Sequence, residues 1–319
     1  MKETGSMVEM ARRYLDHRHK LGSQFHCQGM QVMAFAEYAD GIGHDGPITT
    51  ELAVRWACLR PDDTPINRAR RLQHVRCFAR YAAMFDTGTE IPPRGLLGRS
   101  NRRIQPHIFS DMEVHQLMDE AGRLPPAGGL RPRTYVVLFG LLASTGIRIG
   151  EAVGLKRQDV DLDRGVLRIV GSKFKKSRFV VLHPTTCAEL RAYRSFRDLY
   201  PCPPRDPSAF FLSERGKPLK RKMAEFTFCG ISRRLGWNET GGRGHPRLYD
   251  FRHTFACRRI WLWYRDGVDV EHAMASLSTY MGHGTLRDTY WYLTGLPELM
   301  QIAAARFEQF ANSPQEAVP

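Results

Sequence analysis

The sequence predicts a mainly α-helical chain with a small antiparallel β-sheet, divided into an all-α N-terminal domain and a larger C-terminal one. Three observations predict this. Residues up to about 93 carry helical periodicity with few strand signals. Pro92-Pro93 and the run Gly95-Leu96-Leu97-Gly98-Arg99-Ser100 then break the pattern. Two short β-rich runs, residues 166–170 and 179–182, flank a basic stretch in an otherwise helical second half, which reads as a hairpin with a lysine-rich turn. The chain has 319 residues, comfortable for two domains. The expected boundaries are a first domain over residues 1–98, a basic linker over 99–107, a second domain over 108–312 and a tail over 313–319.

Within the first domain, residues 66–85 give the clearest helix. Leu72, Val75, Ala79 and Ala82 share one face, while Arg70, Arg76 and Arg80 point elsewhere and are free either to stay solvated or to meet phosphates. Arg99, Arg102 and Arg103 in the linker could follow a polyanion backbone. The second domain opens on Ser110 and Glu113, the spacing of a capping box, ahead of Val114, Leu117 and Met118. A long apolar helix is expected over residues 134–144, broken at Thr145-Gly146. A short helix restarts near 150–155, and helices dominate again from about residue 224.

Charge narrows the partners. Residues 1–98 hold 13 Lys and Arg against 11 Asp and Glu, whereas residues 99–319 hold 34 against 22. Nearly all of the net +14 therefore lies in the C-terminal two-thirds, which suggests a polyanionic partner, nucleic acid before anionic membrane. The seven cysteines are scattered and form no C-x-x-C pair, against a disulfide framework or a zinc ribbon. The charged N-terminus lacks an apolar signal core, and the longest apolar stretch, residues 135–143, is too short to span a bilayer. A cytoplasmic protein is expected.

Three segments carry unusual chemistry. In Thr145-Gly146-Ile147-Arg148-Ile149-Gly150-Glu151, an arginine precedes a carboxylate by three residues, so Glu151 could orient Arg148 or simply pair with it at a helix end. In Tyr249-Asp250-Phe251-Arg252-His253-Thr254, Tyr249 and Arg252 are three apart, on one helical face if the segment is helical. In Gly282-His283, followed by Tyr290-Trp291-Tyr292, a tyrosine lies nine residues after a histidine. Each segment alone is compatible with ordinary surface or core chemistry.

Their order is what distinguishes them. Thr-Gly-x-Arg-x-Gly-Glu, a hairpin lysine, Arg-His-Thr-Phe-Ala, then Gly-His and a tyrosine nine residues on, resembles the tyrosine recombinase (phage integrase) family over about residues 110–309. The N-terminal region is similar to that family's core-binding domain in position, size and helical character. The resemblance implies a catalytic domain in which Arg148 and Arg252 are the catalytic arginines, Lys173 the hairpin lysine (with Lys175 or Lys176 as alternatives), His283 the third-box histidine and Tyr292 the nucleophile, with Tyr290 as the alternative. Glu151, Tyr249 and His253 would support them. The family usually has histidine where this chain has Tyr249; a tyrosine can donate to a phosphate oxygen but is a poor base at neutral pH.

These residue types suit phosphoryl transfer. Two guanidiniums can hold the charge gathering on the phosphate oxygens, and a tyrosine can store the bond in a covalent intermediate. The sequence contains neither a P-loop nor a convincing acidic metal cluster, so no metal and no cofactor are expected. The resemblance implies a 3′-phosphotyrosyl intermediate, double-stranded DNA carrying a specific recombination site as partner, a tetramer on that DNA, nucleoid association, and an origin in a mobile element. Met300, Ala303, Phe307 and Phe310 form a stripe that could dock in cis or on a neighbour. The rival readings are a type IB topoisomerase-like enzyme that only relaxes DNA and a DNA-binding protein without catalysis.

Overall fold

A computed structural model describes residues 6–22, 26–100, 105–171, 177–237, 245–295 and 308. The chain forms two compact units, Met1–Ile104 and Gln105–Pro319.

The first unit contains α1 (Met7–Lys20), α2 (His26–Gly41), α3 (Thr50–Ala57) and α4 (Pro65–Ala82). Their starts are chemically marked. The hydroxyls of Ser6, Thr49 and Thr64 each accept a backbone N–H of the first turn. The Asp40 carboxylate, at the far end of α2, also accepts the N–H groups of Met7 and Val8 and so fastens α1 to α2. Phe35 sits at the centre of the core, edge-on to Trp56 and Phe78 at ring-centroid distances of 5.5 and 6.4 Å. The α4 stripe of Leu72, Val75, Ala79 and Ala82 is buried against these rings, as its spacing predicts.

The second unit contains α5 (Asp111–Gly122), α6 (Leu130–Thr145), α7 (Ile149–Val153), β1 (Val160–Asp161), β2 (Val166–Ile169), β3 (Arg178–Val181), α8 (Pro184–Leu199), α9 (Arg221–Arg234), α10 (Asp250–Arg265), α11 (Val270–Met281) and α12 (Arg287–Tyr290), with a 3-10 turn over Trp291–Gly295. The capping box forms at Ser110 and Glu113. The strands make one antiparallel sheet in the order β1-β2-β3, with Leu167 opposite Val180 and Ile169 opposite Arg178. The hairpin is the expected one; β1 is an additional strand. Two further differences concern helices. α6 begins four residues earlier than its apolar run suggests, because Pro132 is tolerated in a first turn whose N–H groups have no helical partner. α8 was not expected at all. Its buried face, Cys187, Leu190, Tyr193 and Arg197, includes a cation that hides by donating to the carbonyls of Ala209 and Phe210.

α6 is the spine of this unit. It is buried around most of its circumference and packs on α5, α8 and α10. Phe109, stacked on Phe251 at 4.4 Å, joins the segment before α5 to α10, and Phe228 of α9 closes the same cluster. A smaller cluster on α10 and α11 contains Met274, Met281, Ile260 and Tyr292.

Gly146 ends α6 with φ of 63°, and a Cβ there would lie 2.7 Å from the Phe255 ring. Gly146→Ala therefore combines left-handed strain with overpacking and is expected to destabilise the unit by about 2–5 kcal/mol. Gly267, also at positive φ but with open space around it, isolates the strain. Gly267→Ala should cost about 1–2 kcal/mol, so denaturant unfolding should rank the two variants in that order.

Candidate active site

Two helix ends and one helix start converge on one point. The first follows α6: Gly146 turns the chain, and Arg148 becomes the residue preceding α7. The Glu151 carboxylate accepts the Arg148 backbone N–H at 3.0 Å and its guanidinium at 2.8 Å. The second is the first turn of α10, which carries Arg252. The third is the end of α11, where Gly282 at φ of 66° turns the chain toward His283. Both arginines reach this last turn. Arg148 donates to the Gly282 carbonyl at 3.0 Å, while Arg252 donates to the Met281 carbonyl and, at 3.0 Å, to the Gly146 carbonyl.

Arg252 is 1% exposed. Its guanidinium is held in the protein by carbonyls at the ends of two helices, where the backbone dipoles are negative. Its Nε has no partner among the described residues and is left as a donor. Burial and the neighbouring Arg148 charge lower its pKa, opposed by Tyr292, Tyr249 and Glu151. Glu151 is the counterweight. Burial pushes its pKa up, but the hydrogen bonds and charge of Arg178 and Arg148 prevail and hold it at about 2.

Tyr292 lies in the 3-10 turn after α12 and is 2% exposed. Its hydroxyl is 3.4 Å from His283 Nε2, and the two rings are near-parallel at 5.7 Å. His253 packs edge-on against it at 5.1 Å. Burial raises the Tyr292 pKa to about 12 although the Arg252 charge opposes the rise. Nδ1 of His283 is 2.7 Å from the Thr289 hydroxyl. If Nδ1 donates to Thr289, Nε2 is unprotonated and can accept the Tyr292 proton; the tautomer thus sets the direction of the contact.

The expected residues are not equivalent. Arg148, Glu151, Arg252, His253, His283 and Tyr292 come together. Tyr249 does not share the buried face of Arg252: it precedes α10 and is 46% exposed, its ring edge-on to His253 at 5.1 Å and its carbonyl accepting the Arg252 backbone N–H at 3.2 Å. Tyr290, two residues from Tyr292, is 42% exposed. Lys173, Lys175 and Lys176 lie outside the described residues, as do Arg102, Arg103, Met300, Ala303, Phe307 and Phe310. Arg70 and Arg80 are exposed on α4, as is Arg99 beyond it. Arg76 is instead half-buried and donates to the Pro92 carbonyl at 2.7 Å, which commits part of its guanidinium to the fold of its own unit. The sequence reading missed Thr289, buried beneath His283, and the backbone carbonyls that seat the arginines; neither has a spacing signature. Among the described residues, no three or more His, Cys, Asp or Glu side chains are placed to share a metal ion.

His253 and His283 both have pKa values lowered from 6.5 to about 4, mainly by burial. Unfolded, both titrate near 6.5, so between pH 6.5 and 4 the unfolded chain binds more protons. Their contribution to stability is complete above about pH 6.5 and is lost as pH falls toward 4. Thermal unfolding should show a midpoint that drops between pH 7 and pH 5, and His283→Gln should flatten that dependence.

Comparison with known proteins identifies the family of the chain. The profile of the phage integrase family matches residues 108–297. The chain is 41% identical over 301 residues to y4rB of Sinorhizobium fredii (strain NBRC 101917 / NGR234), which carries an integrase/recombinase name; the match covers 93% of this chain and 95% of that one. It is 26% identical over 294 residues to tyrosine recombinase XerA of Thermococcus kodakarensis, covering 92% of each. In fold it is similar to a Tn1549 transposon integrase solved in complex with transposon right end DNA, with a TM-score of 0.66 at 15% identity over 96% of this chain and all of that one. The extent of the family match and of the y4rB match, together with the three converging turns, places this chain in the phage integrase family of tyrosine recombinases.

Proposed function

We propose that this protein is a site-specific DNA recombinase that cuts and rejoins DNA through Tyr292. The observation that carries the assignment of residues is the single turn at 281–283. It seats both arginine guanidiniums through its carbonyls and sets His283 beside the Tyr292 hydroxyl.

In this reading, Arg148 and Arg252 hold the non-bridging oxygens of the scissile phosphate with donors not used on carbonyls, including Arg252 Nε. The Tyr292 oxygen attacks phosphorus and its proton passes to His283. The bond from phosphorus to the 5′ oxygen breaks, and Lys173 supplies the proton that oxygen takes up. A 3′-phosphotyrosyl link and a free 5′ hydroxyl result, and attack by a second 5′ hydroxyl reverses the step on a new partner. Because the bond energy stays in the phosphotyrosine, no nucleotide is consumed. Tyr292 is 2% exposed, so in this reading its turn shifts for the phosphate to reach the hydroxyl. The exposed Tyr249 hydroxyl stands where the family usually has histidine and acts as a donor to phosphate rather than as a base.

The family membership supports the wider reading. The enzyme acts on double-stranded DNA at a specific recombination site, in the cytoplasm and in contact with the nucleoid, as a tetramer assembled on that DNA, and it is encoded by a mobile element. The first unit serves as the core-binding domain, with Arg70, Arg80 and Arg99 as its phosphate-facing cations. Among the described residues, no helix is long and apolar enough to cross a membrane.

Nicked suicide duplexes tiled across the DNA that flanks the gene should trap a denaturation-resistant protein–DNA band. Tyr292→Phe should abolish it and Tyr290→Phe should leave it. Arg252→Ala should slow its formation by roughly 100- to 1,000-fold. Loss of the band only with Tyr290→Phe would move the nucleophile by two residues. DNA binding at low salt with no band on any tile would instead favour a non-catalytic DNA-binding protein.

A further inference from the structure

Arg178 begins β3, immediately after the hairpin turn, and none of the steps above uses it. Its environment is nevertheless the most fully built of any arginine near the site. The side chain is 8% exposed. Nη1 and Nη2 donate to the two Glu151 oxygens at 3.0 and 2.8 Å in a fork-to-fork pair, and Nε donates to the Tyr280 carbonyl at 2.7 Å. The guanidinium also rests on Gly282: a Cβ at that position would lie 2.8 Å from Nη1. One side chain thus touches the Arg148–Glu151 turn and the turn before His283 while belonging to the strand that follows the hairpin lysine.

We propose that Arg178 is a positioning residue for strand cleavage: it holds the Glu151 carboxylate against Arg148, ties both to the turn at residues 280–282, and keeps the Arg148 charge available to the phosphate. This rests on the functional reading above. The charge balance explains why a third cation is useful. Glu151 alone would neutralise Arg148, and a phosphate arriving there would meet a pair of no net charge. With Arg178 sharing the carboxylate, the three groups carry a net +1. Together with Arg252 the site then presents +2 to a phosphodiester whose negative charge spreads over its oxygens as the bond breaks. Geometry adds to charge. Two parallel Arg178 donors, on a guanidinium fixed by its third bond to the Tyr280 carbonyl, leave Glu151 little freedom, and Glu151 in turn holds both the backbone and the guanidinium of Arg148.

The two effects are separable by substitution. Arg178→Met removes charge and fork, Arg178→Lys keeps the charge without the fork, and the double variant Arg178→Met/Glu151→Gln restores net +1 at Arg148. The rate of covalent-complex formation at saturating enzyme would be measured on the suicide duplexes, with DNA affinity by shift assay and the unfolding midpoint on the same preparations. Arg178→Met should slow the covalent step by on the order of 100-fold while affinity, which sums over many phosphates, changes by less than about threefold. Arg178→Lys should fall between it and wild type. The double variant should react at least about tenfold faster than Arg178→Met, a non-additivity expected only of groups that act on each other.

Arg178→Met cleaving at the wild-type rate overturns the proposal. So does a double variant no faster than the single one, or a loss of rate matched by equal loss of affinity and stability. If Arg178→Met does not fold, a folded Arg178→Lys at the wild-type rate overturns it equally. Wild type that binds DNA but forms no covalent band overturns the functional reading, and this inference with it; a normal wild-type band beside unaffected Arg178 variants overturns this inference alone.

Discussion

A guanidinium cannot shed its charge, and Arg252 is almost wholly removed from water. The structure meets that constraint by ending two helices at it. α6 and α11 both stop on glycines in the left-handed conformation, and the carbonyls of Gly146 and Met281 at those ends accept its N–H groups. The end of a helix leaves carbonyls without partners, and a buried cation needs acceptors; each requirement answers the other. The neighbouring residues then fall into place. Arg148 follows Gly146 by two residues, and His283 follows Gly282 directly. Phe255, one turn beyond Arg252 on α10, fills the space that a side chain at position 146 would need.

The burial of α6 bears on the geometry of the proposed site. A spine helix packed on three others has no freedom to slide, so the position of its last carbonyl is fixed by the core formed around Leu138, Phe139 and Leu142. The same core sets Phe251 against Phe109, and Phe251 is the residue before Arg252. The placement of Arg252 is inherited from hydrophobic packing one residue away and from the two carbonyls that accept its N–H groups. The Glu151 network is the exception: it is an ionic joint between turns that the core does not reach, and a buried carboxylate flanked by two arginines is well suited to such a joint.

Much of this was legible in the residues. The glycine breaks, the capping box at Ser110, the hairpin and the order of the three motif segments all follow local rules that depend on a few neighbouring positions. The coming together of Arg148, Arg252, His283 and Tyr292 was legible only through the order of those segments, since nothing local to each says that they meet. Other features were hidden for physical reasons. α8 buries Arg197, so its apolar stripe looks interrupted. Arg252 on a helix reads as a surface cation because its acceptors are backbone carbonyls from turns about 30 and 106 residues away. Arg178 reads as one more charge in a basic hairpin, because its meaning lies in Glu151 and Tyr280, neither of which is near it in sequence. Tyr249 has an Arg252-like spacing but ends up in solvent because it precedes the helix rather than belonging to its buried face.

The covered Tyr292 hydroxyl has a consequence for fidelity. In the proposed role, a nucleophile able to open a phosphodiester would be hazardous on a chromosome if it faced every backbone the protein meets. Here it rests behind two imidazole rings, one stacked and one edge-on, in a pocket where burial keeps it protonated. Exposing it means giving up those contacts, and only a duplex that binds well enough to offset their loss can hold the turn open. On the proposed mechanism, sequence discrimination made anywhere along the bound DNA would thereby be converted into permission to cut, and a wrong site would be rejected by failing to arm the enzyme even when it is bound.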